Sequence, residues 1–244
     1  MKRSLDKSNE GYFLKIALVF TVLLVAMRVV GMLGPQSFRP LLPAGFVIMA
    51  ALPFLFLLKE GRKQIGLQKP IGWKYFLVAA VAGAVMALLL YIIGLVLFGR
   101  SDDNWYITIL NFYKANPSFQ SMDGLVLQFV IFTVPAMIFS PIAEELFFRG
   151  FLHQVLQLKY GQQRATWFEC VLFGAVHLAH HGIYPTEHSY GLHLFSGLLW
   201  VAGMAATAWV FAWLRHKSQS IYIAMVAHAS FNFFMNYLIF FYLV

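Results

Sequence analysis

The sequence predicts an all-α fold, a polytopic transmembrane helical bundle of about seven spans. Three observations carry that expectation. The 244 residues are 60% hydrophobic and 11% charged, where soluble chains carry about a quarter charged residues. The mean hydropathy is +0.71. Apolar runs of about 20 residues, the length that crosses a hydrocarbon core, recur between short polar breaks. The single cysteine, Cys170, excludes a disulfide framework within the chain and a cysteine-based zinc site. The net charge of +8 is not read as nucleic-acid binding, because positive loops on a membrane protein report orientation and contact with anionic lipid.

Apolar runs set against Gly/Pro and charged breaks place the spans at about 12–33, 41–58, 74–98, 124–158, 165–181, 191–214 and 219–243. The first follows Met1-Lys-Arg-Ser-Leu-Asp-Lys7. It is read as an uncleaved span, since no small-x-small cleavage site precedes the Gly34-Pro35 break. The fourth run is too long for one crossing, so its end, from His153 to Tyr160, is expected to emerge into water or the interface. No repeat or linker divides the chain. Residues 1–244 are read as a single membrane domain, with amino-terminal spans and an outer loop over 1–123 and a motif-bearing core over 124–244.

Loop charges orient these spans. With the amino terminus in the cytoplasm, the inside segments hold Lys2, Arg3, Lys7, Lys59, Arg62, Lys63, Lys69, Lys74, Lys159, Arg164, Arg215 and Lys217. The outside segments hold Arg39, Arg100 and Lys114. This asymmetry follows the positive-inside rule and puts the carboxyl terminus outside. The outer segment 99–123 mixes aromatic and polar residues, as an interfacial helix or re-entrant cover does; a surface-lying loop is the simpler expectation.

Few ionisable or amide side chains fall within the spans, and charges in lipid usually serve a proton path, an ion or catalysis. In the second half they are Glu144, Glu145, Arg149, Glu169, His177, His180, His228, Asn232 and Asn236. Glu145 and Arg149 stand four apart and can pair on one helical face, as catalytic support or as a purely structural ion pair. Glu144 is turned about 100° away and has no local partner. Phe173 and His177 lie one turn apart, with His177 about 18 Å from the cytoplasmic end of its helix. His228 and Asn232 share a face, with His228 about 13 Å deep. Taken singly, a His–Asn pair is ordinary interhelical glue. His180 and His181 are assigned to the outer helix end, and His181, His188 and His193 to a histidine-rich interface loop. The first three spans carry no motif.

Glu144-Glu145-x-x-x-Arg149, Phe173-x-x-x-His177 and His228-x-x-x-Asn232, in that order on three apolar helices, resemble the CPBP family of intramembrane proteases. That family comprises the CAAX prenyl endopeptidases and the bacteriocin-processing or self-immunity proteins of the Abi group. The resemblance covers roughly residues 124–240 with no departure at the motif positions.

What the resemblance implies agrees with the chemistry of the residues. Glu144 and His177 activate a water, and Glu144 serves as general base. His228 and Asn232 stabilise the oxyanion. Glu145, Arg149 and Phe173 support the site. No metal or other cofactor is required in this reading. The alternative is a zinc held by Glu144, His177 and His228, but no His-Glu-x-x-His pair fixes two ligands on one turn. The expected partners are membrane lipids and a peptide or protein substrate, lipidated or not, reached from the cytoplasmic side; no nucleic acid is implied. Two other classes share some of these features: a proton-coupled transporter, which should show broken helices or a repeat, and a non-catalytic scaffold or bacteriocin-immunity protein.

Overall fold

The computed structural model describes residues 3–186 and 188–244. Met1, Lys2 and Glu187 lie outside the described residues, and with them the Lys2 charge assigned above to the cytoplasmic side. The chain is predominantly helical, and the predicted class, a polytopic helical bundle, is what it forms.

The amino-terminal half holds α1 (Glu10–Leu33), α2 (Leu41–Phe56), the short α3 (Lys59–Gln64) and α4 (Lys74–Phe98). Two outer helices follow, α5 (Trp105–Lys114) and α6 (Pro117–Gln120). In the second half α7 (Leu125–Glu145) runs through a π-helical segment, Leu146–Leu152, into α8 (His153–Tyr160). Then come α9 (Gln162–Val176), a 3-10 turn at His177–Ala179, a hairpin of β1 (Ile183–Pro185) and β2 (Tyr190–Leu192), α10 (Leu194–Ser218) and α11 (Ile221–Tyr242).

Among the described residues, six helical stretches are long and apolar enough to cross a membrane: Lys7–Leu33, Gln36–Phe56, Lys74–Phe98, Leu125–Tyr160, Leu194–Ser218 and Ile221–Tyr242. They match six of the seven predicted runs. The remaining run, 165–181, is α9 and its 3-10 turn. The 15 residues of α9 reach about 22 Å at 1.5 Å per residue, short of a full core. The break before it is one residue long. Gly161 takes φ 79°, a conformation open mainly to glycine, and turns α8 straight back into α9.

Close packing in the bundle depends on small residues, as expected where apolar surface gains nothing from leaving lipid. α4 and α11 form the most extensive pair. At their crossing a Cβ added to Gly83 would lie 2.1 Å from the Ala227 carbonyl oxygen. Gly174 plays the same part between α9 and α10, where a Cβ would meet the Val201 carbonyl oxygen at 2.5 Å.

The outer segment differs from the simple expectation of a surface loop. Asn104 caps α5 by accepting from the Tyr106 N–H at 3.0 Å. Trp105 and Tyr106 are fully buried. The Trp105 indole N–H donates to the Leu90 carbonyl at 3.2 Å, and the Tyr106 hydroxyl to that of Ala87 at 2.7 Å. Two aromatic side chains with satisfied polar tips therefore sink α5 into the end of the bundle. The hairpin ties to the same roof. His193 Nδ1 lies 2.7 Å from Asp103, and His181 sits between the Thr108 and Ser196 hydroxyls at 2.8 and 2.9 Å. Burial, reinforced by His193, pushes the His181 imidazole down to about 4, so at neutral pH one ring nitrogen donates and the other accepts.

Gly83→Val should lower the thermal midpoint of the purified protein, with a loss of about 1–3 kcal/mol from overpacking. Gly11→Val, where a Cβ meets nothing within 4 Å, should leave it nearly unchanged. A thermal melt of both variants in one detergent makes the comparison.

Candidate active site

Glu144 and Glu145 end α7 at the point where the helix widens into the π segment, and both are buried. π turns recur at functional sites because they re-aim side chains within a continuous helix. Here Arg149 lies within the wide turn, 3.1 Å from Glu145 Oε1 and 3.1 Å from Glu169 Oε1 on α9. These contacts are within ion-pair distance without being aligned as hydrogen bonds. The guanidinium also sits 4.0 Å over the Phe173 ring, a cation–π contact. His153 adds a second basic group 3.6 Å from Glu169. Glu145, Arg149 and Phe173 thus meet as the spacing predicts, and Glu169 completes the set.

Glu144 is not the unpaired carboxylate that its sequence neighbours imply. Arg28, on α1, donates from Nη2 to Glu144 Oε1, and both side chains are buried. The partner lies 116 residues away, beyond the reach of any local spacing rule. Glu144 Oε2 has no hydrogen-bond partner among the described residues.

His177 and His228 have assignable tautomers. His177 Nδ1 lies 2.6 Å from the Phe173 carbonyl oxygen, which can only accept, so Nδ1 carries the proton and Nε2 is left open. His228 Nδ1 lies 2.8 Å from Glu145 Oε1, which leaves its Nε2 open in the same way. The ring stands between Phe211, stacked at 5.4 Å, and the edge of Phe173 at 6.1 Å. Asn232, one turn further along α11, donates one amide hydrogen to the Ala136 carbonyl at 2.8 Å and keeps a second.

These groups share one cavity of about 230 Å³. Glu144, His177, His228 and Asn232 all line it, together with Arg28 and His180. His180 stacks on His177 at 5.0 Å between ring centres. The 3-10 turn that ends α9 brings it inward, whereas the sequence places it with the outer helix end. The half-buried rim is apolar: Met32, Leu42 and Phe46 from α1 and α2, Phe112 from α5 and Met235 from α11. Ala136 and Ser140 of α7, also half-buried, line the same cavity as Leu42 and Phe46 of α2. The rim lies at the end of the bundle carrying α5 and the α1–α2 junction. The basic loops gather at the other end, where Ile71 bonds Ser218, Ile221 bonds Gly66 and Lys7 bonds the Leu158 carbonyl.

The alternative zinc set is Glu144, His177 and His228, which line the same cavity. Among the described residues no three His, Cys, Asp or Glu side chains converge closely enough to hold an ion, and one oxygen of Glu144 is bonded to a guanidinium. No step below passes through a metal.

The family model described as "Type II CAAX prenyl endopeptidase Rce1-like" matches residues 126–234. The matched stretch holds all three motifs and agrees with the CPBP resemblance; Arg28 and the α5 roof fall outside it. No curated protein and no solved structure matches the chain.

Glu169→Ala removes one of the two carboxylates flanking buried Arg149. It should destabilise the protein by about 3–5 kcal/mol, the usual result of breaking a buried pair, and chemical or thermal unfolding in detergent would register the loss.

Proposed function

We propose, from the premise that residues 126–234 form a CPBP-type, Rce1-like core, how this multi-pass membrane endopeptidase works and what it cuts. The chain 1–244 acts as one unit and hydrolyses a peptide bond in a membrane-associated peptide or protein tail. The observation that carries this reading is a single buried cavity lined by Glu144, His177, His228 and Asn232, four groups drawn from three helices.

A water sits between Glu144 Oε2, which is otherwise unpartnered, and the open Nε2 of His177. Glu144 takes its proton as the oxygen attacks the scissile carbonyl. Asn232 donates its free amide hydrogen to the developing oxyanion, and His228 donates from Nε2 when its ring is protonated. Glu144 then passes its proton to the leaving amine. Glu145 and Arg149 fix the α7 end and the His228 ring, and Phe173 packs under both Arg149 and His177. The chemistry needs no metal.

The apolar rim fits a hydrophobic or lipid-bearing tail. The flank between α2 and α7 lets a membrane-held substrate approach sideways. With the basic loops in the cytoplasm, the amino terminus lies inside, the carboxyl terminus lies outside, and the mouth opens toward the outer half of the membrane.

The test is mass spectrometry of reporter peptides, one ending in a farnesylated cysteine tail and one unlipidated, incubated with the purified protein. Wild type should give one internal cut, Glu144→Ala none, and a chelator should not change the rate. A wild type that cuts neither reporter, or Glu144→Ala cutting as fast as wild type, overturns the reading. Asn232→Ala should cut kcat by about 10²-fold, the usual effect of losing one oxyanion donor; an unchanged kcat removes Asn232 from the chemistry.

A further inference from the structure

Arg28 is a full charge five positions before Leu33, the last residue of the apolar helix α1, and its side chain is buried. A guanidinium buried in such a helix is unfavourable unless it is paired, and it usually marks function. The Rce1-like match at 126–234 does not include it. Two observations specify what it does. Its Nη2 bonds Glu144, while its Nη1 is buried with no partner among the described residues. It also lines the same cavity as His177, His228 and Asn232. Arg149 cannot stand in for it, since Arg149 is engaged with Glu145 and Glu169.

The donors assigned above are few. Asn232 already gives one hydrogen to Ala136, and His228 is anchored on Glu145 through Nδ1. During hydrolysis the negative charge leaves Glu144, as that carboxylate takes a proton, and appears on the carbonyl oxygen a few ångströms away. A fixed cation beside the carboxylate, with an unused N–H, is built to follow that charge.

We propose that Arg28 is a catalytic residue supplied by the first helix: it orients Glu144 before attack and donates from Nη1 to the oxyanion of the tetrahedral intermediate. This rests on the hydrolase reading of Glu144. The new C–O bond forms as the water proton moves to Glu144, and the carbonyl π pair moves onto oxygen, where Arg28, His228 and Asn232 hold it. Collapse breaks the C–N bond, and the Glu144 proton leaves with the amine. Arg28 keeps its own protons throughout, and no co-reactant is needed. A cation beside a base also weakens that base. The attraction is nearly the same before attack, to the carboxylate, and after it, to the oxyanion at similar range, so those contributions largely cancel and the directed hydrogen bond decides.

The experiment measures kcat and KM separately for full-length wild type, Arg28→Met, Arg28→Lys and Glu144→Ala on the reporter that wild type cuts, with a thermal melt of each. Arg28→Met should keep KM within about threefold and lose kcat by about 10²-fold. Arg28→Lys should recover about tenfold of that loss, because one ammonium cannot serve the carboxylate and the oxyanion with separate arms. A folded Arg28→Met with kcat within threefold of wild type overturns the inference. If Arg28→Met does not fold, Arg28→Lys decides: kcat about fivefold or more below wild type at unchanged KM supports it, and wild-type kcat overturns it. Wild type active, Glu144→Ala dead and Arg28→Met fully active refutes Arg28 alone. A wild type that cuts nothing, or an active Glu144→Ala, refutes the hydrolase reading and this inference with it.

Discussion

Three carboxylates buried inside a membrane bundle must find positive partners, and the arrangement of helices around the cavity follows from that need. Glu145 and Glu169 share Arg149, with His228 and His153 closing the two ends of the chain. Glu144 takes Arg28. Each contact joins different elements: α7 to α1, the π segment to α9, α11 to α7. Removing one member strands its partner's charge in a low-dielectric interior, so these links are more demanding than the apolar contacts around them. The bundle is fastened at the depth where its chemistry is gathered.

Much of this was legible in the sequence. Six predicted spans are present because apolar runs and their breaks are local signals. Glu145–Arg149, Phe173–His177 and His228–Asn232 were found because a spacing of four puts two residues on one helical face. Arg28 was not found, since nothing near it in the chain announces a partner and one arginine in an apolar helix matches no pattern. His180 was misplaced because a 3-10 turn, rather than a continued α-helix, rotates it into the cavity. Glu169 was noticed as an ionisable residue, but its place beside Arg149 depends on the packing of α8 against α9 across the single residue Gly161. The burial of α5 was missed for a similar reason: Trp105 and Tyr106 read as interfacial, and only the packing of α5 on α4 shows that their polar tips reach the carbonyls of Leu90 and Ala87.

The roof and the rim belong together. α5 places Phe112 and Tyr113 against the cavity, and the Tyr113 hydroxyl donates to Asn236 on α11 at 2.9 Å. Polar side chains at the solvent-side end, among them Asp103, Thr108, His181 and His193, hold the outer layer together, while aromatic rings and satisfied indole and phenol groups anchor it below. The cavity is bordered by half-buried apolar residues, Met32, Leu42, Phe46, Phe112 and Met235, an arrangement that favours hydrophobic occupants over free solvent.

The Arg28–Glu144 link also bears on how the molecule is made. Its two ends are 116 residues apart. At ribosomal rates of about 5–20 residues per second, the first helix waits roughly 6–23 s for its counter-charge to be synthesised. Through that interval it must hold an unneutralised guanidinium at the translocon or in the young bilayer, shielded by snorkelling, local water or headgroups. Assembly of the catalytic centre is therefore a late event in biogenesis, and the earliest-made helix cannot settle into its final environment until the seventh has arrived.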